Sequence, residues 1–149
     1  LIPPVNIDLV VQPLLLGIPE STVTLRILIK SYDNLLDRNI TKVVVNKSSS
    51  ALYFSKAMIP WDRDDIIQNS SVDPLKPFWY KHIGLYAYRK NFLMVFGSLP
   101  SSSLEQIEKL EQLRILENGY NIKVVETNLD SIGVDCIEDL VMIEKRLSG

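Results

Sequence analysis

Alternation of apolar and polar positions is strongest in residues 79–89 and predicts a β-strand there. One face of this strand carries Trp79, Lys81, Ile83, Leu85 and Ala87, and the other carries Tyr80, His82, Gly84, Tyr86 and Tyr88. A solvated face favours Lys, Glu and Thr, and a core face favours Val, Ile and Leu. The second face instead has rings with polar tips around one glycine, which suits a cleft wall approached by a polar ligand. The alternative is a core strand whose histidine is satisfied by its neighbours.

Similar patterns predict the other elements of the chain. Strands are predicted over residues 22–30, 42–46, 51–55 and 121–126. Helices are predicted after Pro3-Pro4 and over 90–97, 103–118 and 135–147. Residues 31–38 form a short helix or loop, and 57–78 are irregular. The strands at 42–46 and 51–55 flank a polar turn, so we expect a hairpin. Strands that alternate with helices indicate an α/β layer architecture, from which this hairpin is an antiparallel excursion.

Residues typical of helix ends mark both ends of the predicted helix over 103–118. Ser102 and Glu105 have the spacing of a capping box, and Gly119 supplies a stop. Within this helix Glu111 falls on the apolar side, four residues from both Ile107 and Ile115. A carboxylate in that position needs a partner, because burying it unpaired is expensive.

Gln112 follows Glu111 at the edge of the apolar side. The structural interpretation of Glu111 is a salt bridge, to Lys109 or Arg114. The functional interpretation is a polar pair, Glu111 and Gln112, that contacts a ligand.

Composition narrows the class of protein. The 149 residues are 46% hydrophobic and 23% charged, which fits one globular domain. A net charge of -2 without a long basic block argues against a nucleic acid or an anionic membrane as partner. Cys136 is the only cysteine, so an internal disulfide and a Cys-based zinc site are excluded and a reducing compartment is favoured.

The ends of the chain carry few targeting signals. No apolar run reaches membrane-spanning length, and the first residues lack the basic segment of a secretory signal. The first residue is Leu rather than Met, so we expect the chain to begin inside a longer protein.

Two further places carry candidate chemistry. Asp135 opens the predicted last helix, where it is either an N-cap or a carboxylate ligand for magnesium. Lys56 and Arg63 are cations seven residues apart in a segment with several aromatic residues. They could hold a carboxylate or phosphate, or they belong to a solvated loop with local ion pairs.

Together and in this order, these motifs resemble the C-terminal part of the CMP-Kdo synthetases, the 3-deoxy-manno-octulosonate cytidylyltransferases. The matching segments are 51–55, 59–64, 81–89, 104–114, Gly133-Val134-Asp135 and 138–140. The resemblance implies a nucleotide-sugar transferase-like (Rossmann-like) mixed sheet with helices on both faces. The chain, 1–149, would be the C-terminal part of a single cytidylyltransferase domain, its sugar-acid-binding and dimerisation half. The N-terminal half of the fold, with the CTP-binding motifs, would be missing.

The resemblance also assigns roles to individual residues. It implies that His82, Tyr86, Glu111 and Gln112 line the pocket for Kdo, that Lys56 and Arg63 supply cationic contacts around the sugar acid, and that Asp135 binds the metal. The family usually has Arg at the place of Lys56; Lys keeps the charge but loses the planar fork.

The reaction that the resemblance implies is nucleotidyl transfer. The anomeric hydroxyl of Kdo would attack the α-phosphate of CTP, giving CMP-Kdo and pyrophosphate, with Mg²⁺ neutralising phosphate charge. Family context implies a cytoplasmic homodimer that supplies lipopolysaccharide synthesis. Two alternatives stay open: a noncatalytic sugar-binding or dimerisation module, and a sister cytidylyltransferase for another sugar acid, such as a sialic acid.

Overall fold

The computed structural model describes residues 2–63 and 79–131. Their helices are α1 (Pro4–Leu15), α2 (Tyr32–Leu36), α3 (Lys90–Ser98), α4 (Ser103–Glu108) and α5 (Gln112–Glu117). Their strands are β1 (Thr22–Leu28), β2 (Lys42–Val45), β3 (Ala51–Ser55), β4 (Tyr80–Tyr88) and β5 (Lys123–Glu126). The predicted helix over 135–147 and most of the predicted irregular segment lie outside the described residues.

The five strands form one mixed sheet in the order β3-β2-β4-β1-β5. Antiparallel pairs join β1 to β4 and β2 to both β3 and β4, whereas β5 runs parallel to β1. All five strands were predicted from alternation and β-branched content. The predicted mixed α/β sheet is therefore confirmed.

The β2–β3 hairpin links two distant strands of the sheet. At its base Lys42 pairs with Lys81 of β4. At its turn the N–H of Ala51 donates to the carbonyl of Ile122 at 2.9 Å, and the N–H of Val124 donates to that of Ser49 at 2.8 Å. The hairpin thus extends from the start of β4 to the start of β5; the antiparallel hairpin was predicted, and its contact with β5 was not.

Helices pack on both faces of the sheet, as expected. On one face Val10 of α1 packs against Val23, Leu25 and Ile83. On the other face α3 and α5 pack with the hairpin in a larger core that includes Val43, Phe54, Phe92, Leu113, Ile115, Ile122 and Val124. This second core surrounds the ring-bearing face of β4.

A bulge interrupts β4 beside its glycine. Thr24 of β1 lies opposite Tyr86, but the next residue, Leu25, lies opposite Ile83. Two residues of β4, Gly84 and Leu85, are therefore extra in the ladder. Because side chains alternate with period two, an insertion of two residues keeps the aromatic side chains on one face.

The predicted single helix over 103–118 is wrong. It is broken between α4 and α5, where Lys109 takes a left-handed backbone conformation with φ of 57°. The break exposes Glu111 and leaves Ile107 78% exposed, so neither lies on a continuous apolar side. The predicted ends are confirmed: the N–H of Ser102 donates to the Glu105 carboxylate at 3.2 Å, and Gly119 follows α5 with φ of 81°.

Candidate functional site

Five aromatic rings form a continuous row along the second face of β4. The neighbouring ring centroids are 4.9 Å apart for Phe54 and His82, and 5.4 Å for His82 and Tyr86. They are 5.7 Å apart for Tyr86 and Tyr88, and 5.9 Å for Tyr88 and Phe96. We call these five residues the ring row. Alternation along β4 supplies its three central members, and β3 and α3 supply the ends.

His82 is held in the row as a neutral ring. Its Nε2 lies 2.9 Å from the hydroxyl of Thr24, and its backbone N–H donates to the carbonyl of Thr41 at 2.8 Å. Burial lowers the pKa of His82 from 6.5 to about 3, because an imidazolium would lose its hydration. At neutral pH this residue therefore offers hydrogen bonds but no charge.

Tyr86 has a buried hydroxyl that makes no hydrogen bond of regular geometry with the described residues, although an interaction with the Thr24 side chain partly offsets the rise in its pKa. Burial raises its pKa well above the usual value, and the neighbouring Tyr88 adds to the effect. A buried hydroxyl without a partner costs free energy. A ligand that supplies a hydrogen-bond donor or acceptor to the Tyr86 hydroxyl would recover part of this free energy.

Glu111 and Gln112 lie at the break between α4 and α5. Burial, and after it the negative charge of Glu111, raise the pKa of Tyr88 to about 12, and the same charge also raises the pKa of Tyr86, so the carboxylate lies within electrostatic reach of both rings. Glu111 is exposed, whereas Gln112, the first residue of α5, is buried. The structure therefore places Glu111 where its charge acts on Tyr86 and Tyr88, with Gln112 next to it in the chain.

Arg114, one of the two salt-bridge partners considered for Glu111, pairs with another carboxylate. Arg114 donates from Nε to Glu105 at 2.8 Å, and its second nitrogen bonds the other carboxylate oxygen. These bonds lower the pKa of Glu105 to about 2. The Arg114 guanidinium also lies 5.5 Å from the centroid of Phe96, so this pair ties α4 and α5 to one end of the ring row.

Lys56 immediately follows β3, and Glu108 of α4 holds its backbone. The Glu108 carboxylate accepts from the Ser55 hydroxyl at 2.6 Å and from the Lys56 N–H at 3.1 Å. No ion pair within residues 2–63 and 79–131 involves Lys56 or Arg63. Arg63 is exposed, and the structure shows no contact between it and the ring row.

The predicted metal ligand, Asp135, lies outside the described residues. In the part of the chain that the structure describes, no group of three or more His, Cys, Asp and Glu could hold a metal ion. Helices long and apolar enough to cross a membrane are also absent from that part.

Two residues of the site were not predicted. Thr24 is completely buried and contacts both His82 and the bulge of β4. A polar position in the middle of an apolar strand was the only available signal for it. Glu108 had none, because its contacts with β3 arise from residues more than fifty positions away.

A separate cleft of about 210 Å³ lies between the start of β1, α3 and the loop before β5. Glu20, Phe92, Tyr120 and Asn121 help to line it, and none of the predicted site residues does. The candidate site is therefore the ring row with the neighbouring α4–α5 break.

The sequence of this chain is similar to those of known cytidylyltransferases. The family described as "Cytidylyltransferase" matches residues 1–126. The 3-deoxy-manno-octulosonate cytidylyltransferase of Syntrophotalea carbinolica is 47% identical over 149 residues, covering 100% of this chain and 60% of that protein. The enzyme of the same name from Geobacter metallireducens is 42% identical over 150 residues, covering 99% and 59%.

A solved structure agrees with the sequence matches. CMP:2-keto-3-deoxy-manno-octonic acid synthetase complexed with CTP superposes with a TM-score of 0.85 at 33% identity, covering 99% of this chain and 57% of that one. The chain thus spans about three-fifths of the length of the relatives it matches. The resemblance drawn from the motifs is confirmed, and the chain belongs to the cytidylyltransferase family.

Proposed function

We propose that this chain forms the sugar-acid-binding part of a 3-deoxy-manno-octulosonate cytidylyltransferase, which converts CTP and Kdo to CMP-Kdo and pyrophosphate. The names of the relatives support this activity. The observation that carries it to these residues is the contact between His82 and Tyr86 in the ring row, within electrostatic reach of Glu111.

The site offers the chemistry that a sugar acid requires. The neutral ring of His82, the buried Tyr86 hydroxyl and the Glu111 carboxylate can all form hydrogen bonds with sugar hydroxyls. Gln112, next to Glu111 in the chain, would add an amide to this set. This arrangement would orient the anomeric hydroxyl of Kdo for attack on the α-phosphate of CTP, which is chiefly a proximity effect.

The carboxylate of Kdo needs a different partner. His82 is neutral and Glu111 is negative, so neither can neutralise it. Lys56 and Arg63 are cations without ion-pair partners in the described residues, and we propose that they supply this contact. A lysine in place of a planar arginine would give a point charge rather than a bidentate clamp.

We also propose that Mg²⁺ and a second subunit complete the enzyme. Asp135 would help to hold the ion, which would neutralise phosphate charge when bound. Leu52 and Trp61, 59% and 61% exposed near the hairpin, are apolar groups that a homodimer would cover. A cytoplasmic enzyme that supplies lipopolysaccharide synthesis fits these proposals.

The test is pyrophosphate release with CTP, Kdo and Mg²⁺. We would assay the chain alone and a chimera in which it replaces the matched segment of the Syntrophotalea enzyme. In the active form, Tyr86→Phe should raise KM for Kdo by about tenfold, the effect of one lost hydrogen bond. Tyr120→Phe is the matched control, because Tyr120 is 40% exposed and lies outside the ring row.

The outcomes separate the alternatives. Turnover by the chain or the chimera excludes a noncatalytic module, and Kdo binding without turnover in either would favour that module. A sialic acid that outcompetes Kdo would favour a sister enzyme. An equal effect of the two tyrosine substitutions would contradict a Kdo pocket at the ring row.

A further inference from the structure

Thr24 has more hydrogen-bond contacts than its single proton can serve. Its hydroxyl oxygen lies 2.9 Å from His82 Nε2, 3.1 Å from the Ile83 carbonyl and 2.9 Å from the Leu85 carbonyl. Ile83 lies immediately before the bulge of β4 and Leu85 lies within it, and both carbonyls can only accept a hydrogen bond.

The proton of this hydroxyl therefore has two possible directions. If it pointed to His82, the hydroxyl oxygen would face two carbonyl oxygens with no hydrogen between them, which is repulsive. If it points to the carbonyls, the oxygen is free to accept from Nε2–H. The second arrangement gives the carbonyls a donor and Nε2–H an acceptor, and it leaves a lone pair of the Thr24 oxygen for the neighbouring Tyr86 hydroxyl. Full burial of Thr24 excludes water as a substitute.

We propose that Thr24 is a positioning residue that fixes the neutral ring of His82 with its proton on Nε2, leaving Nδ1 as a hydrogen-bond acceptor for a ligand hydroxyl. Nδ1 makes no hydrogen bond with residues of the described ranges. The ligand statement rests on the proposed function, and the choice of proton position does not.

With its proton on Nε2, His82 can bind only a ligand group that donates a hydrogen bond to Nδ1. A sugar hydroxyl can donate to Nδ1, whereas a carboxylate or a phosphate oxygen would meet a lone pair there. His82 would therefore recognise a hydroxyl of Kdo and leave the sugar carboxylate to the cations.

His82 is the only histidine of the chain, so its ring can be observed without assignment ambiguity. We would label the protein with ¹⁵N-histidine and record the two ring nitrogens by NMR. The expected result at neutral pH is one protonated nitrogen, Nε2, and one unprotonated nitrogen, Nδ1. A proton on Nδ1 in the wild type would overturn the proposal even if no variant folded.

Thr24→Val removes the hydroxyl at nearly constant shape, and Thr24→Ser keeps it as the matched control. In the chimera described above, the valine variant should populate both proton positions and raise KM for Kdo about tenfold with kcat nearly unchanged. The serine variant should retain the wild-type values. Unchanged ring resonances and KM in the valine variant would refute the positioning role. Failure of the wild type to bind Kdo, with the proton on Nε2, would instead refute the proposed function.

Discussion

Burial of the single histidine predicts how the stability of the protein depends on pH. The pKa of His82 is lowered from 6.5 in the unfolded chain to about 3 in the fold. Below pH 6.5 the unfolded state therefore binds a proton that the folded state does not. The contribution of the neutral His82 to the free energy of unfolding is fully present above pH 6.5 and is lost as the pH falls towards 3. Each pH unit in that interval costs about 1.4 kcal/mol, so acidification from 6.5 to about 5 costs about 2 kcal/mol.

Urea unfolding at several pH values between these limits measures the effect directly. The wild type should lose about 2 kcal/mol of unfolding free energy by about pH 5, whereas His82→Gln should have a nearly flat profile there. Carboxylates contribute little in this interval because their ordinary pKa values lie below it. Parallel profiles for the two proteins would refute the placement of a neutral histidine in the ring row.

Three further predictions test the fold and its helix break. Leu113 is in the core, so Leu113→Ala should lower the free energy of unfolding, measured by chemical denaturation, by about 2–5 kcal/mol. Ile107→Ala should change it by less than about 0.5 kcal/mol, because Ile107 is exposed. Equal losses for the two variants would contradict the helix break and support one continuous helix. Glu105→Gln should lower the free energy of unfolding at neutral pH, because the fold stabilises the ionised Glu105 carboxylate. The difference from the wild type should shrink as the pH falls from 4.5 towards 2, where this carboxylate becomes protonated in the fold as well. A difference that does not change with pH would count against the ion pair of Glu105. Lys42→Met removes the hydrogen bonds from the Lys42 ammonium to the carbonyls of Asp37 and Lys56, so it should displace Lys56 and weaken Kdo binding. Titration calorimetry measures the affinity, with Lys47→Met as the control. Equal affinities of the two variants for Kdo would contradict this link.

The strands of the sheet were predictable because their signal is local. Alternation in residues 79–89 gave the face that carries His82 and Tyr86, and the two-residue bulge preserved that face. The hairpin at residues 42–55 was predictable for the same reason, since a polar turn separates two β-branched segments. Its contact with β5 was not, because that pairing joins residues about seventy positions apart.

The break between α4 and α5 was not predictable from periodicity. Lys109 gives no sequence signal for a left-handed backbone, which usually marks glycine or asparagine. The break is accompanied by contacts between separated residues, chiefly the Glu105–Arg114 pair. As a result the predicted environment of Glu111 was wrong: this residue is exposed at a helix junction rather than buried in an apolar stripe, and its role in the site stays a prediction.

The central claim is that Kdo binds at the ring row, and titration of Kdo into ¹⁵N-histidine-labelled protein tests it most directly. The account predicts that the ring nitrogens of His82 shift in a saturable manner, with the larger change at Nδ1, and that Tyr86→Phe weakens the apparent affinity about tenfold. Binding of Kdo, detected by calorimetry, that leaves both ring resonances of His82 unchanged would contradict the account.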